Sequence, residues 1–415
     1  ERLMRTDFFK QVDIQTPPVA GTNDQVDANV NVEEKSTGSF MIGAGFSSYE
    51  KLTLSGSISQ NNLFGSGKSA TLGVNTSRIN TLYNLAYTDP YWTVNGVSIG
   101  YDLYYRTFNS ATLDWLSTYK TNSAGAGIRF GYPLSEVSGL NLGFTVDRTR
   151  IDLSGASQVE VGDGANPQGA PCGTDPGVPC YPNVTYNIYN FVQTYGSSNT
   201  SLISSAGWRL NSFDSNILPT KGNRFAAGGE FGTPPGNLSY YRLSYQEQHF
   251  LPIAKSLYFM VNGDFGYGNG VGGKPLPFYK NYYGGGIGSV RGYKPGTVGP
   301  QGVNPNGSTS YTGGNEKAIG NFEFQGPIAG IENMRWNLFY DIGFIGATGA
   351  TKPQNYPGST YPMPAATGVL QSVGFGMAWV SPMGPLKFSF GWPVATPANA
   401  NINKQPFQFT MGSAF

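Results

Sequence analysis

Charge is scarce in this sequence. Only 12% of its 415 residues are Asp, Glu, Lys or Arg, about half the ~25% usual in soluble domains. The net charge of +1 excludes broad electrostatic binding of nucleic acid. Histidine occurs once, as His249, and the two cysteines, Cys172 and Cys180, lie too far apart for a C-x2-4-C pair, so no zinc or other metal site is expected. Long apolar runs are missing too: no stretch approaches the ~18 residues of a membrane helix. Nucleotide-binding motifs are also lacking. "NLFGSGKS" ends like a P-loop but has Asn62 where the first Gly belongs, and it reads as a hairpin turn. No cofactor is expected.

What is present in quantity is aromatic side chains, 14% of the chain, together with 58 glycines. Disordered chains are poor in aromatics, so this one folds. Low charge, many Tyr and Gly, and no membrane helix fit a transmembrane β-barrel or a large soluble all-β protein. The alternation decides between them. From Phe40 onward, segments of about ten residues alternate with period two between turn residues. In "KSLYFMVNGDFGYG", Leu257, Phe259, Val261 and Phe265 oppose Ser256, Asn262 and Asp264. In "GPLKFSFGWP", Leu386, Phe388, Phe390 and Trp392 oppose Lys387, Ser389 and Gly391. One face is aromatic strand after strand, while the other is too polar and glycine-rich to form a second core. Apolar outside and polar inside is the lipid-facing arrangement. About 16 antiparallel strands are expected, with lipid bilayer around them.

Two connections are too long for turns, about 151–200 and 266–314, and long connections are usually functional. The first holds "APCGTDPGVPCYPN". Cys172 and Cys180 in that Pro/Gly-rich loop read as one local disulfide, which requires an oxidising compartment.

Residues 1–37 differ from the rest. "ERLMRTDFFKQVDIQ" places Leu3, Met4, Phe8, Phe9 and Val12 near one helical face; "DQVDANVNVEEKSTG" then alternates Val26, Ala28, Val30 and Val32 with polar residues, as a half-buried strand does. They read as the tail of a small soluble α/β module. The start on Glu1 suggests a fragment of something longer.

"VRGY", Val290-Arg291-Gly292-Tyr293, preceded by "PFYKNYYGGG" in the second long connection, the closing "FQFTMGSAF" and this leader together resemble the POTRA-plus-barrel family of outer-membrane proteins. The resemblance covers essentially the whole chain. It implies that residues 1–37 are part of the membrane-proximal POTRA module, in the periplasm, and that residues 38–415 are the barrel, in a bacterial outer membrane. It also implies that the long loop folds back into the lumen, where its arginine meets acidic residues on two neighbouring strands. Alternation independently points Glu323 inward, between Phe322 and Phe324, and Asp341 inward, between Tyr340 and Ile342. Arg291, Glu323 and Asp341 are therefore the expected loop–lumen ion pair.

The resemblance further implies ATP-independent folding and insertion of outer-membrane β-barrel proteins through a weak seam between first and last strands. Its partners would be unfolded barrel clients and, through the POTRA region, accessory outer-membrane lipoproteins. Expected seam residues are Phe40, Ile42, Gly43 and Gly45 on the first strand, and Phe407, Phe409, Gly412 and Phe415 on the last, with Gly412 a bend point. The alternative is a secretion pore of the same superfamily that exports one dedicated polypeptide. An enzyme is not expected: a Ser-His-Asp site needs a histidine beside its acid and nucleophile, and alternation puts His249 with Tyr241, Leu243 and Tyr245 toward lipid.

Overall fold

The computed structural model describes residues 9–19, 21, 25–162, 170–233, 238–365, 368–381, 384–395 and 403–412. Among these, sixteen strands close into one antiparallel barrel, each bonded to its neighbours in sequence. They are β1 Gly38–Ser47, β2 Lys51–Gln60, β3 Ser69–Ser77, β4 Asn80–Asp89, β5 Ser98–Asn109, β6 Lys120–Pro133, β7 Ser138–Asp152 and β8 Ser198–Asn211. There follow β9 Gly222–Thr233, β10 Tyr240–Ala254, β11 Leu257–Gly270, β12 Glu316–Pro327, β13 Met334–Gly346, β14 Leu370–Ser381, β15 Gly384–Ala395 and β16 Phe407–Met411. The period-two pattern explains the wall. On β12, Phe322 and Phe324 are exposed outward and Glu323 is buried inward; on β13, Leu338 is exposed and Phe339 and Asp341 are buried. A closed sheet is one of the two structures that satisfy every backbone group inside a bilayer.

The up-and-down order sends every connection that follows an odd-numbered strand to one end. Those include all the long ones: 153–197, 271–315 and 347–369. The segment 153–197 is not structureless. Its "YNIYNFVQTY" forms a helix, α1 Tyr186–Tyr195, which buries Ile188 and Phe191. These two side chains share a core with Tyr119, Val184, Leu238 and Phe278, drawn from four connections. Beside it, Tyr356 packs on Tyr181 and Tyr186 with ring centroids 4.8 and 5.2 Å away, and the Asn187 side chain donates to the Lys352 carbonyl at 2.9 Å. The connections thus form a dome with its own apolar core. Cys172 and Cys180 are disulfide-bonded within it.

The leader departs from its expectation. Phe9–Gln15 is a strand rather than a helix, paired antiparallel with Asn29–Glu34 in the register Val12↔Val32 and Ile14↔Val30. The spacing of Leu3, Met4, Phe8, Phe9 and Val12 suits a helix, but β-branched Val12 and Ile14 alternate with Gln11, Asp13 and Gln15, and the available partner strand decides. Leu3, Met4 and Phe8 lie outside the described residues.

Candidate functional site

Two features of the barrel carry the site, a loop bonded to the inner wall and a short closure between β16 and β1.

The connection 271–315 enters the lumen. Arg291 is buried there, and its contacts span two strands. Its backbone N–H donates to Asp341 Oδ2 at 3.0 Å, its Nε to the same oxygen at 2.7 Å, and its Nη2 to Asp341 Oδ1 at 2.6 Å. Nη1 lies 2.6 Å from Glu323 Oε1. The guanidinium also stacks 3.6 Å above the ring of Phe339, a cation–π contact that gains strength out of water. Asn321 braces the group, donating to Asp341 Oδ1 at 2.8 Å and to the Ser289 carbonyl at 2.6 Å. Gln325 donates to Glu323 Oε2 at 2.7 Å. Burial works against the charge on Arg291, but the Glu323 and Asp341 carboxylates outweigh it and hold the guanidinium above its ordinary value. Removing one member of such a set strands the others uncompensated, at a cost of about 3–5 kcal/mol.

The neighbours of Arg291 serve the same fit. Val290 is fully buried among Tyr282, Val298, Ile319, Ile345 and Leu370. Tyr293 is buried, and its hydroxyl donates to the Gln371 carbonyl at 3.0 Å. Gly292 has φ +84°, and a Cβ on it would lie 2.9 Å from the carbonyl carbon of Gly391. Only glycine allows both that backbone conformation and that approach. Farther along the loop, Lys280 sits 3.1 Å from Glu230 of β9, and Lys294 Nζ lies 3.7 Å from the ring centre of Trp115.

The closure is thin. β1 and β2 pair from Gly38↔Gln60 to Ser47↔Lys51 along the whole of both strands. Among the described residues β16 and β1 pair only at Thr410↔Ser47 and Met411↔Phe46, helped by Ser48, whose N–H donates to the Phe409 carbonyl at 3.0 Å and whose hydroxyl accepts from Phe409 N–H at 3.1 Å. The rings of Phe46 and Phe409 are 6.1 Å apart. Gly412 then turns out of strand geometry at φ +71° and donates its N–H to the Pro385 carbonyl at 2.9 Å. Along β1 the stretch 38–45, which contains Gly43 and Gly45, has no strand on its outer edge among the described residues. Phe40, Met41 and Ile42 are 67%, 61% and 77% exposed. Phe407 faces outward; Phe415 lies outside the described residues.

The loop and the closure flank one lumenal cavity of ≈1090 Å³, lined by Gly284 to Gly288 on one side and by Ser47, Gln408, Phe409 and Thr410 on the other. His249 is elsewhere, half exposed within β10 and 2.7 Å from Glu247 Oε1. Three participants escape sequence reasoning: Asn321, Phe339 and Gln408. Gln408 alone had a visible signal, as the polar residue between outward-facing Phe407 and Phe409.

Comparison with known proteins places this geometry. The sequence profile of the Omp85 superfamily domain matches residues 62–415. The outer membrane protein assembly factor BamA of Neisseria meningitidis serogroup B is 34% identical over 433 aligned residues, which cover 100% of this chain and 52% of that protein. The factor of the same name from Nitratidesulfovibrio vulgaris is 27% identical, with 100% of this chain and 46% of that protein covered. The chain therefore spans about half the length of the curated relatives it matches. Among solved structures, BamA from Haemophilus ducreyi lacking POTRA domains 1–3 superposes with a TM-score of 0.83 at 26% identity, covering 100% of this chain and 77% of that one. CdiB from Acinetobacter baumannii shares the fold, with a TM-score of 0.53 at 14% identity over 99% of this chain and 67% of that one.

Proposed function

Since this chain belongs to the Omp85 superfamily, we propose that it is the membrane barrel of an outer-membrane assembly factor, which folds and inserts β-barrel proteins without ATP. The observation that carries the reading is the closure: among the described residues two register pairs join β16 to β1, and no strand pairs with the outer edge of 38–45. Unpaired backbone groups in hydrocarbon cost several kcal/mol each. A bare edge therefore favours any strand that can cover it. A client chain supplies one, pairing its terminal strand with β1 by β-augmentation. Each further hairpin then replaces one exposed edge with another, so the energy comes from the client's own pairing and no covalent step is needed. The last strand is short. β16 has five residues, about 17 Å when extended, against the ~25 Å apolar band of an outer-membrane barrel. Mismatch of that kind thins the adjacent bilayer and lowers the barrier to insertion.

The leader hairpin, Phe9–Gln15 with Asn29–Glu34, belongs in this reading to the membrane-proximal POTRA module. Further modules of that kind would receive clients and accessory lipoproteins on the periplasmic side. The loop arginine would hold the lumenal loop in place while the seam works.

The test is the folding rate of an unfolded outer-membrane barrel in liposomes that carry the full-length protein, compared with empty liposomes. Acceleration without nucleotide is the expected result. No acceleration, with ion conductance in its place, would overturn the reading in favour of a dedicated secretion pore.

A further inference from the structure

The last strand joins the wall late. The register of β15 and β16 runs from Leu386↔Met411 to Phe390↔Phe407. Continued along both strands, it would set Gln405 opposite Trp392 and Lys404 opposite Pro393. Instead, Gln405 and Lys404 pair antiparallel with Gly292 and Tyr293 of the loop, and Lys294 N–H donates to the Asn403 carbonyl at 2.9 Å. Pro393 has no N–H to offer a neighbour. Gly292 lies against Gly391 on the inner side of β15, at the point where wall pairing stops. The start of the last strand therefore lies beside the loop, where the wall's own register would place it beside β15.

Gln408 ties this arrangement. It is 1% exposed, and its Nε2 donates to the Tyr293 carbonyl at 2.7 Å. Its Oε1 is buried without a hydrogen-bond partner among the described residues. A buried amide with one half unsatisfied is costly, so the donor half carries whatever advantage this residue has. Contacts then run without a break from β13 to β16: Asp341 to Arg291, along the chain to Tyr293, and from its carbonyl to Gln408. Gln408 itself lines the lumenal cavity beside them.

We propose that Gln408 is a positioning residue that clasps the last strand to the lumenal loop, so that Arg291, acting through Tyr293, sets whether residues 403–405 lie on the loop or on the free edge of β15. The seam is in this way governed by the loop. The consequence for client insertion rests on the function proposed above, but the clasp does not, and it is tested without any client.

The chain's own cysteines are paired with each other, so introduced pairs report cleanly. In the full-length protein in liposomes, Lys294→Cys with Asn403→Cys reports the loop register, and Trp392→Cys with Gln405→Cys, which leaves Pro393 in place, reports the wall register. On oxidation the first pair should cross-link and the second should not. Adding Gln408→Leu should shift the ratio toward the wall pair by about tenfold, the loss of one well-formed hydrogen bond, and Arg291→Ala should shift it the same way. Heat-modifiable gel migration shows that each variant is folded. If Gln408→Leu does not reach the folded band, Gln408→Glu keeps the shape, loses the donor at neutral pH and carries the same expectation. Cross-links unchanged by the Gln408 variants would overturn the clasp, as would a wall pair that links readily in the parent. An insertion assay that failed while the cross-links behaved as expected would count against the assembly reading alone.

Discussion

The β12–β13 wall and the β16–β1 closure are made of similar residues and hold together very differently. β12 pairs with β13 from Glu316↔Gly346 to Pro327↔Arg335, and its inner face is tied to the loop by Arg291, Glu323 and Asp341. The closure has, among the described residues, two pairs and a glycine kink. Both carry aromatic side chains toward lipid, so hydrophobic burial does not separate them. Hydrogen-bond register and buried charge do. One side of the barrel is tied by register and charge together, and the other, among the described residues, by two register pairs.

That contrast can be broken from either side. The largest effect is expected from tying the closure: Ser47→Cys with Thr410→Cys, oxidised, should reduce client folding to the rate of empty liposomes, with recovery on reduction. The next is on the wall. Arg291→Ala should cost about 3–5 kcal/mol of the loop's attachment, read as a lowered midpoint for loss of heat-modifiable migration and as slower client folding. Arg291→Lys should fall between, since a lysine keeps the charge and loses the two-pronged hydrogen bonding. The two carboxylates should rank unequally. Asp341 takes three of the arginine's hydrogen bonds and is fully buried, so Asp341→Asn should lower the same midpoint more than Glu323→Gln does.

A smaller effect sharpens the comparison through the lipid face. Leu338→Lys on β13 should destabilise the barrel by about 2–4 kcal/mol if it sits near the bilayer midplane, whereas Ile42→Lys, on an edge that no described strand covers, should cost less if the bilayer there is thinned as proposed; urea midpoints in liposomes distinguish the two. The smallest effect is expected from reducing Cys172–Cys180. The bridge closes a short loop inside the dome, and short loops gain least from cross-linking. The barrel's own midpoint should not move, while protease cutting near that loop should rise.

The wall was largely legible in the sequence because strands with one face toward lipid repeat every two residues. That period alone sets the parity of Phe322-Glu323-Phe324 and of Tyr340-Asp341-Ile342. In the leader the strand through Val30 and Val32 was legible, but the stretch Phe9–Gln15 was misread for a related reason: with few residues, the 3.6 and 2.0 periods both fit, and pairing with Asn29–Glu34 chose between them. The loop's contacts were legible only as far as charge goes. An arginine seeks carboxylates, but nothing local shows that Gly292 and Tyr293 would pair with Lys404 and Gln405, more than a hundred positions away. Phe339 under the guanidinium is hidden in the same way, as an apolar residue on an inner face.

The dome over the long-loop end has a consequence for the permeability of the membrane. Its core of Tyr119, Val184, Ile188, Phe191, Leu238 and Phe278 joins four connections into one apolar lid, and Tyr356 knots a fifth to it. A side opening in a barrel of this kind would become a leak if the mouth were also open. If the closure opens as proposed, a roofed mouth would let the wall part sideways toward lipid without giving detergents, antibiotics or ions a route from outside to the periplasm.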